Sequence, residues 1–225
     1  MQLNSDFSER VVVDSNGLPW APSPEKGVAR RMLERDGGEV ARATSIVRYS
    51  PGSWFPAHEH GGGEVFLVLE GLFADERGSY PAGTYVRNPI GSSHAPFTEE
   101  GCRLLVKLRQ MQAPAEPRLV IDTTVGEWTP LSESGRQLQH LYRNHRNGES
   151  VCLARLHPGA AARDDHHPGG EELFVLEGTL EDEHGSYPAG TWIRWPVGSH
   201  HTPFSTRGCL LWVKRGHLTQ RTPGA

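Results

Sequence analysis

The sequence contains few of the residues that mark disulfide-rich or zinc-ribbon proteins. Its 225 residues include only three cysteines, Cys102, Cys152 and Cys209, and no two of them form a Cys-x-x-Cys pair. An odd count without that spacing predicts neither a disulfide framework nor a zinc ribbon. We therefore expect free thiols that are buried as small hydrophobic side chains, as in a reducing compartment.

Net positive charge and long apolar runs are also lacking. The formal net charge is −4 and the pI is near 6.3, with no run rich in lysine and arginine, which argues against DNA or RNA as a partner. No apolar stretch is long enough to cross a bilayer, and the first residues lack the basic and apolar regions of a signal peptide. The sequence thus predicts a soluble, cytoplasmic protein that binds neither nucleic acid nor membranes.

Helical periodicity is missing as well, whereas turn-forming residues are abundant. The chain has 26 glycines and 17 prolines between short apolar segments, which indicates strands joined by tight turns. Segments 28–35 and 41–50 flank Asp36-Gly37-Gly38, and 136–145 and 150–157 flank Asn147-Gly148, so two hairpins are predicted. The apolar runs 64–69 and 172–176 are typical of strands buried on both faces, and 11–13 and 119–121 are short strand candidates. The predicted fold class is all-β, a sandwich or a barrel.

The chain is an internal duplication. A shift of 107 residues superposes Gly52 on Gly159, and 16 of the 24 positions from Val68 to Gly91 are identical to their partners. Upstream the register becomes 108, which pairs Trp20 with Trp128. The polar, proline-containing segment 111–118 reads as a linker. We therefore predict two domains, 1–110 and 119–225, joined by 111–118.

Four residues in the first repeat have the spacing of a metal site. His58 and His60 point to the same side of an extended chain, because strand side chains alternate with period two. Glu64 has the same parity, and the three glycines before it allow the backbone to bend toward the same point. His94 follows a Pro/Gly turn on a later strand and offers a fourth ligand. Three imidazoles and a carboxylate suit a divalent ion such as zinc, iron(II), nickel or manganese.

The second repeat keeps three of these residues and changes one. His60, Glu64 and His94 correspond to His167, Glu171 and His201, whereas His58 corresponds to Asp165. Aspartate is a competent ligand, so the set of Asp165, His167, Glu171 and His201 is a second candidate metal site of harder, more anionic character. Two alternatives stay open at this point. The site is a water-filled pocket without metal, or His166 or His200 ligates after a one-residue slip.

These spacings resemble the two sequence motifs of the cupin superfamily, with His58, His60, Glu64 and His94 at the four ligand positions. Thr98 departs from the asparagine that often closes the second motif. More narrowly, three short motifs resemble the ChrR-like cupin of certain anti-sigma factors. They are Val68-Leu69-Glu70-Gly71, Gly78-Ser79-Tyr80-Pro81-Ala82-Gly83 and Gly101-Cys102. The resemblance implies two tandem cupin barrels, each a double-stranded β-helix or jelly roll.

The resemblance leaves several functions open. One is a non-catalytic metal-bound domain that senses a small molecule or an oxidant held in the barrel. In ChrR-type anti-sigma factors a separate helical zinc domain binds the sigma factor, and nothing similar precedes the first repeat, so a sigma factor is not expected as a partner. Another is a metal-dependent dioxygenase similar to β-diketone-cleaving cupins, or an isomerase or hydrolase. No catalytic residue can be assigned, because Glu64 is needed as a ligand.

A third hypothesis gives the second barrel a structural role. The fused pair would then reproduce, inside one chain, the dimer that single cupins commonly form. A homodimer of the whole chain is a further alternative, and the sequence does not decide between these assemblies.

Overall fold

The protein is built from β-strands. The structure, a computed structural model, describes residues 1–38, 40–112, 116–131, 135–162 and 164–219. Within these ranges the only regular element other than strand is a short 3₁₀ turn at Ser15–Gly17, which confirms the all-β prediction. None of the described residues belongs to a helix that is long and apolar enough to span a membrane.

Two compact units divide the chain, and their limits differ from the predicted domain boundaries. The first unit consists of the described residues that fall within 1–5 and 18–125, and the second of those that fall within 6–17 and 126–219. The prediction had placed 6–17 in the first domain and 119–125 in the second. Of the predicted linker, 113–115 lie outside the described residues, and Met111 is buried against Gly63.

The first unit contains one large antiparallel sheet and one two-stranded sheet. Numbered in chain order, its strands are β1 (Gln2–Leu3), β3 (Ala21–Pro22), β4 (Val28–Gly37), β5 (Ala41–Tyr49), β6 (His58–Glu59), β7 (Glu64–Asp75), β8 (Gly78–Pro81), β9 (Thr84–Asn88), β10 (Ser93–His94), β11 (Cys102–Leu108) and β12 (Leu119–Asp122). The large sheet runs β1-β4-β5-β11-β7-β9-β12, with β3 beside β4 and β8 beside β7, and β6 pairs with β10.

The second unit repeats this arrangement. Its strands are β2 (Val11–Asp14), β13 (Thr129–Leu131), β14 (Arg136–Arg143), β15 (Ser150–Leu156), β16 (Ala160–Ala161), β17 (Asp165–His167), β18 (Glu171–Asp182), β19 (Gly185–Pro188), β20 (Thr191–Trp195), β21 (Ser199–His201), β22 (Phe204–Ser205) and β23 (Cys209–Arg215). The main sheet runs β13-β14-β15-β23-β18-β20-β2, and β17 pairs with β21. Both predicted hairpins, β4-β5 and β14-β15, are confirmed.

Each main sheet ends with a strand that lies far away in sequence. Strand β2 pairs antiparallel with β20, with Val12 opposite Ile193, and β12 pairs in the same way with β9, with Val120 opposite Val86. A sheet edge presents unpaired N–H and C=O groups, and the added strand satisfies them. This pairing is the physical reason that residues 6–17 group with the second unit and residues 119–125 with the first.

The core of each unit lies between its strands. Phe66, Val68 and Leu104 are buried in the first core, as are Leu173 and Val175 in the second. The first five residues of β7 and of β18 are all buried, so the two predicted core strands are confirmed.

The cysteines are free thiols. Cys102 and Cys209 are buried as expected, whereas Cys152 is half-buried. Burial raises the pKa of Cys102 and of Cys152 to about 12 and that of Cys209 to about 11. All three therefore stay protonated at neutral pH and are poor nucleophiles.

Candidate metal centre

The two-stranded sheet of the first unit places its histidines. His94 on β10 is paired directly with His58 on β6, so the two side chains are neighbours on the two-stranded sheet. His60 follows two residues after His58, and Glu64 opens β7. The intervening Gly63 has φ +75°, and a Cβ at this position would collide with the side chain of Met111. Only glycine fits this turn, which brings the carboxylate back to the histidines.

The four side chains converge at distances that suit a bound metal ion. The Nε2 atom of His60 lies 3.3 Å from Nε2 of His58 and 3.4 Å from Oε2 of Glu64, and Nε2 of His94 lies 3.5 Å from the same oxygen. All four ligand atoms lie within 4.8 Å of one another. Ligand bonds of about 2.0–2.2 Å place neighbouring donor atoms roughly 3.0–3.6 Å apart. The predicted residues of the first repeat therefore fit a single ion.

The hydrogen bonds of the outer ring nitrogens set the tautomers. Nδ1 of His58 bonds the carbonyl oxygen of Pro56 at 2.9 Å, and Nδ1 of His94 bonds Oδ2 of Asp75 at 3.2 Å. Nδ1 of His60 lies 3.0 Å from Oγ of Ser92, whose own proton is donated to a backbone carbonyl. Each of these partners is an acceptor, so each Nδ1 carries the proton. Each Nε2 consequently turns a lone pair inward, as a metal ligand requires.

The charge states of the site also suit a metal. Burial lowers the pKa of His60, although Glu64 acts in the opposite direction, so the ring is neutral at physiological pH. Asn88 donates a hydrogen bond of 3.0 Å to Oε2 of Glu64 and orients the carboxylate. Burial alone would raise the pKa of Asp75, but hydrogen bonds from His94 and Tyr80 lower it to about 2. Asp75 is therefore an anion that orients His94.

A chain of supporting residues behind the ligands was missed by the sequence reasoning. Tyr80 donates to Asp75 at 2.7 Å, and Arg118 donates to Tyr80 at 2.7 Å and to Asn88 at 2.8 Å. The second unit repeats it: Tyr187 donates to Asp182 at 2.7 Å, and Arg10 donates to Tyr187 at 2.5 Å. The repeat itself carried the signal, because these pairs recur at spacings of 107 and 108 residues.

Changing Asp75 to asparagine tests this support. The side chain introduced by Asp75→Asn can still accept a hydrogen bond from Nδ1 of His94. It lacks the negative charge that orients His94 and makes its Nε2 a stronger metal ligand. We expect the dissociation constant of the bound metal to rise about 10- to 100-fold with the fold intact. Competition with a chromophoric chelator measures the change. The matched control is Asp182→Asn in the second unit, which should leave the affinity of the first site unaltered; equal effects of the two variants would contradict this role.

The second unit assembles three of the four predicted residues. His167, Glu171 and His201 offer ligand atoms within 4.8 Å of one another. Nδ1 of His167 and Nε2 of His201 each lie 3.7 Å from a carboxylate oxygen of Glu171. His166 and His200 are exposed and lie opposite each other in the β17–β21 ladder, so the one-residue slip is not observed.

Asp165 is the residue that the structure does not bring into this cluster. Its Oδ2 atom accepts a hydrogen bond of 2.6 Å from Nη2 of Arg215, whose Nε donates to Oε2 of Glu171. Burial would raise the pKa of Glu171, but the guanidinium of Arg215 and the two histidines lower it to about 2. At the corresponding position the first repeat has Leu108. The second cluster thus contains a cation at a position where the first repeat has an aliphatic side chain.

A cavity of about 280 Å³ opens beside Arg215 in the second unit. Its polar lining includes Arg143, Asp165, Glu171 and His201, and most of the remaining lining is aliphatic. Trp195 replaces Asn88 of the first repeat and stacks on His201 with ring centroids 4.2 Å apart. The two sites therefore share a framework and differ in chemistry.

Comparison with protein families gives two matches along the chain. The model of the ChrR cupin-like domain matches residues 8–112 and again residues 116–219. A search of curated proteins finds no relative.

Solved structures share the fold at low sequence identity. A candidate dioxygenase from Nostoc punctiforme PCC 73102 has 15% identity and a TM-score of 0.78, covering 96% of this chain and 85% of its own. Oxalate decarboxylase from Bacillus subtilis has 15% identity and a TM-score of 0.64, covering 95% and 77%. The Escherichia coli pirin YhhW, solved with nickel(II), has 12% identity and a TM-score of 0.65, covering 92% and 98%. At these identities the likeness concerns the fold alone.

Proposed function

Because the chain belongs to the ChrR cupin-like domain family, with one domain in each half, we propose that its first unit holds one divalent transition metal and binds a small oxygen-donor molecule there. One observation carries the proposal. The Nε2 atoms of His58, His60 and His94 and the carboxylate of Glu64 converge on one point, with every outer nitrogen on an acceptor. Gathering four polar side chains at one largely buried point costs folding free energy. This cost is the reason to assign a function to the arrangement.

The metal would supply Lewis acidity and free coordination positions. The imidazole-rich donor set suits zinc, iron(II), nickel and manganese, and the pirin that shares this fold was solved with nickel(II). The protein contributes geometry and access. His58 is half-buried, whereas His60 and His94 are buried, so an incoming ligand reaches the site from the side of His58.

Sensing or regulation is the use that we place first. A catalytic site for acid–base chemistry needs a group that exchanges protons near neutral pH. Asp75, the titratable carboxyl group bonded to His94, has its pKa lowered to about 2 by hydrogen bonds that outweigh burial, and is already engaged by Tyr80. Glu64 is itself a ligand. These described contacts support a centre that binds a chelating molecule and reports its presence.

The alternative use is oxidative cleavage of a chelating substrate by a dioxygenase. It is favoured by the half-buried position of His58, since access from this side would admit both a substrate and dioxygen. A candidate dioxygenase also shares the fold over 96% of this chain.

Cobalt(II)-loaded protein tests the shared part of both proposals. Titration with 2,4-pentanedione or oxalate should shift the visible absorption bands of the bound cobalt(II) in a saturable way, because an oxygen chelate changes the coordination number. Full retention of cobalt with no spectral change for either compound would overturn the proposal. Protein carrying Asp165→Ala, altered in the second unit only, is the control and should give the same titration.

Iron(II)-loaded protein separates the two uses. With 2,4-pentanedione in an oxygen electrode, sensing predicts binding without sustained oxygen uptake, whereas dioxygenase activity predicts multiple turnovers with cleavage products. Sustained uptake would therefore replace our first choice by the second.

A further inference from the structure

The second unit has exchanged three residues around its ligand cluster. Relative to the first unit, His58, Leu108 and Asn88 become Asp165, Arg215 and Trp195. The first two changes are coupled in space, because Arg215 donates to Asp165 at 2.6 Å. The repeat has thus lost one imidazole and gained an ion pair at the same place.

Arg215 lies beside Glu171, where a metal ion would have to compete with it for the carboxylate. Its Nε donates to Oε2 of Glu171, the oxygen that also lies 3.7 Å from His167. Both neighbouring carboxylates are therefore already ion-paired with the same guanidinium. A guanidinium has five N–H donors in a planar fork, and only the donors of Nε and Nη2 bind these carboxylates. The side chain of Arg215 is 41% exposed and lines the cavity, so its further donors are available to a ligand.

The cavity beside Arg215 combines positive charge with an apolar wall. Its described charged residues are Arg136, Arg143 and Arg215 together with Asp165 and Glu171. Arg136 already has an interaction of its own, so Arg143 and Arg215 are the cations considered for a ligand. Aliphatic residues make up much of the rest: Leu131, Leu138, Ala154, Leu156, Leu173, Leu180, Leu211 and Val213. The cavity volume of about 280 Å³ is just below the range of roughly 300 to 1,000 Å³ of sites for drug-sized ligands, so it suits a small molecule.

His201 lines the same cavity. Its ring is 1% exposed and lines the cavity, and its Nε2 has no hydrogen-bond partner among the described residues. Nδ1 of the same ring is held by Asp182 at 3.1 Å. Nε2 lies 3.7 Å from Oε1 of Glu171, so this ring belongs to the ligand cluster and borders the cavity.

We propose that the second unit binds a small organic anion, a carboxylate with a short apolar chain, with the guanidinium of Arg215 in the place of a metal ion. The carboxylate of the ligand accepts hydrogen bonds from the remaining N–H groups of Arg215 and is attracted by Arg143. Its chain packs against the aliphatic wall, including Leu173 and Leu211. This site is separate from the metal centre of the first unit, so either proposal can fail without the other.

Calorimetric titration with hexanoate tests the proposal on the full chain. Metal is first removed with a chelator, so that the first unit cannot bind the carboxylate through an ion. We expect saturable 1:1 binding of hexanoate. Hexan-1-ol and hexylamine, which have the same chain without the anion, should bind at least about tenfold more weakly, because charge-assisted hydrogen bonds are the strong ones. Absence of hexanoate binding, or equal or tighter binding of either control, would overturn the proposal.

Two substitutions locate the binding site. Arg215→Leu installs the residue of the first repeat and should abolish hexanoate binding. Because this change leaves two carboxylates unpaired, a second variant, Arg143→Gln at the exposed rim, is made in parallel, and we expect it to weaken binding several-fold with an unchanged circular dichroism spectrum. Hexanoate binding that is unaffected by Arg143→Gln and survives in folded Arg215→Leu protein would contradict the assignment. Arg35→Gln, at the position of the first repeat that corresponds to Arg143, is the matched control and should bind hexanoate normally.

Discussion

The double substitution Asp165→His with Arg215→Leu is expected to raise the metal content of the chain from about one ion to about two. It gives the second unit the two residues that the first has at these positions. The change removes the guanidinium that neutralises Glu171 and supplies an imidazole on β17. The β17–β21 ladder already places residue 165 opposite His201, as β6–β10 places His58 opposite His94. The new imidazole therefore has the backbone position that it needs.

The two single variants show how much the added imidazole and the removed guanidinium each contribute to metal binding in the second unit. Asp165→His alone keeps the contact of Arg215 with Glu171, and we expect no additional ion. Arg215→Leu alone frees two carboxylates beside two histidines, and we expect a weak second site that loses its ion on gel filtration. Elemental analysis of desalted protein measures all four forms. A wild-type protein that already retains about two ions per chain would show that Arg215 does not exclude a metal.

Removal of a ligand in the first unit should have the opposite effect. His60→Ala and Glu64→Ala are each expected to reduce the retained metal from about one ion per chain to less than about 0.1. Each removes a donor that lies within 3.5 Å of two other ligand atoms. Because a ligand that binds only the folded state stabilises it, loss of an ion present at about 1,000 times its dissociation constant costs about 4 kcal/mol. The unfolding transition of the first unit should therefore shift to lower temperature.

The control for this prediction lies in the second unit. Asp165→Ala changes a residue outside the first unit's cluster, so the retained metal should stay at the wild-type value. Calorimetric scans with and without chelator should differ for the wild type and coincide for His60→Ala. A wild-type protein whose scans coincide, or a Glu64→Ala protein that keeps its ion, would show that this cluster is not the metal site.

Much of the first site could be predicted because its geometry is local. The alternation of a strand places His58 and His60 on one side, and the glycines before Glu64 allow the turn that Gly63 makes with φ +75°. His94 was found through its spacing and its resemblance to the family, since nothing local shows that β10 pairs with β6. The hairpins followed from their turn residues, which set the connection between neighbouring strands.

The supporting residues depended on contacts over long sequence distances. Arg10 lies 177 residues from its partner Tyr187, and Arg118 lies 38 residues from Tyr80. Both arginines sit just before the strands that complete the sheet edges, β2 and β12. The edge pairing is a matter of backbone hydrogen bonds, which any extended apolar segment can make, so composition does not say which edge a strand will join.

The sequence by itself determined the all-β class, the duplication, and the placement of His58, His60 and Glu64 on one side of the chain in the first repeat. Each of these follows from periodicity, turn chemistry or identity between repeats, which are properties of neighbouring or equivalent residues. Only the tertiary structure decided that Asp165 turns to Arg215, that this arginine covers Glu171, and that a cavity opens beside them. Arg215 is separated from Glu171 by 44 residues along the chain, yet it changes the charge at the cluster. Electrostatic energy depends on distance in space, and strand pairing brings such positions together without leaving a local pattern.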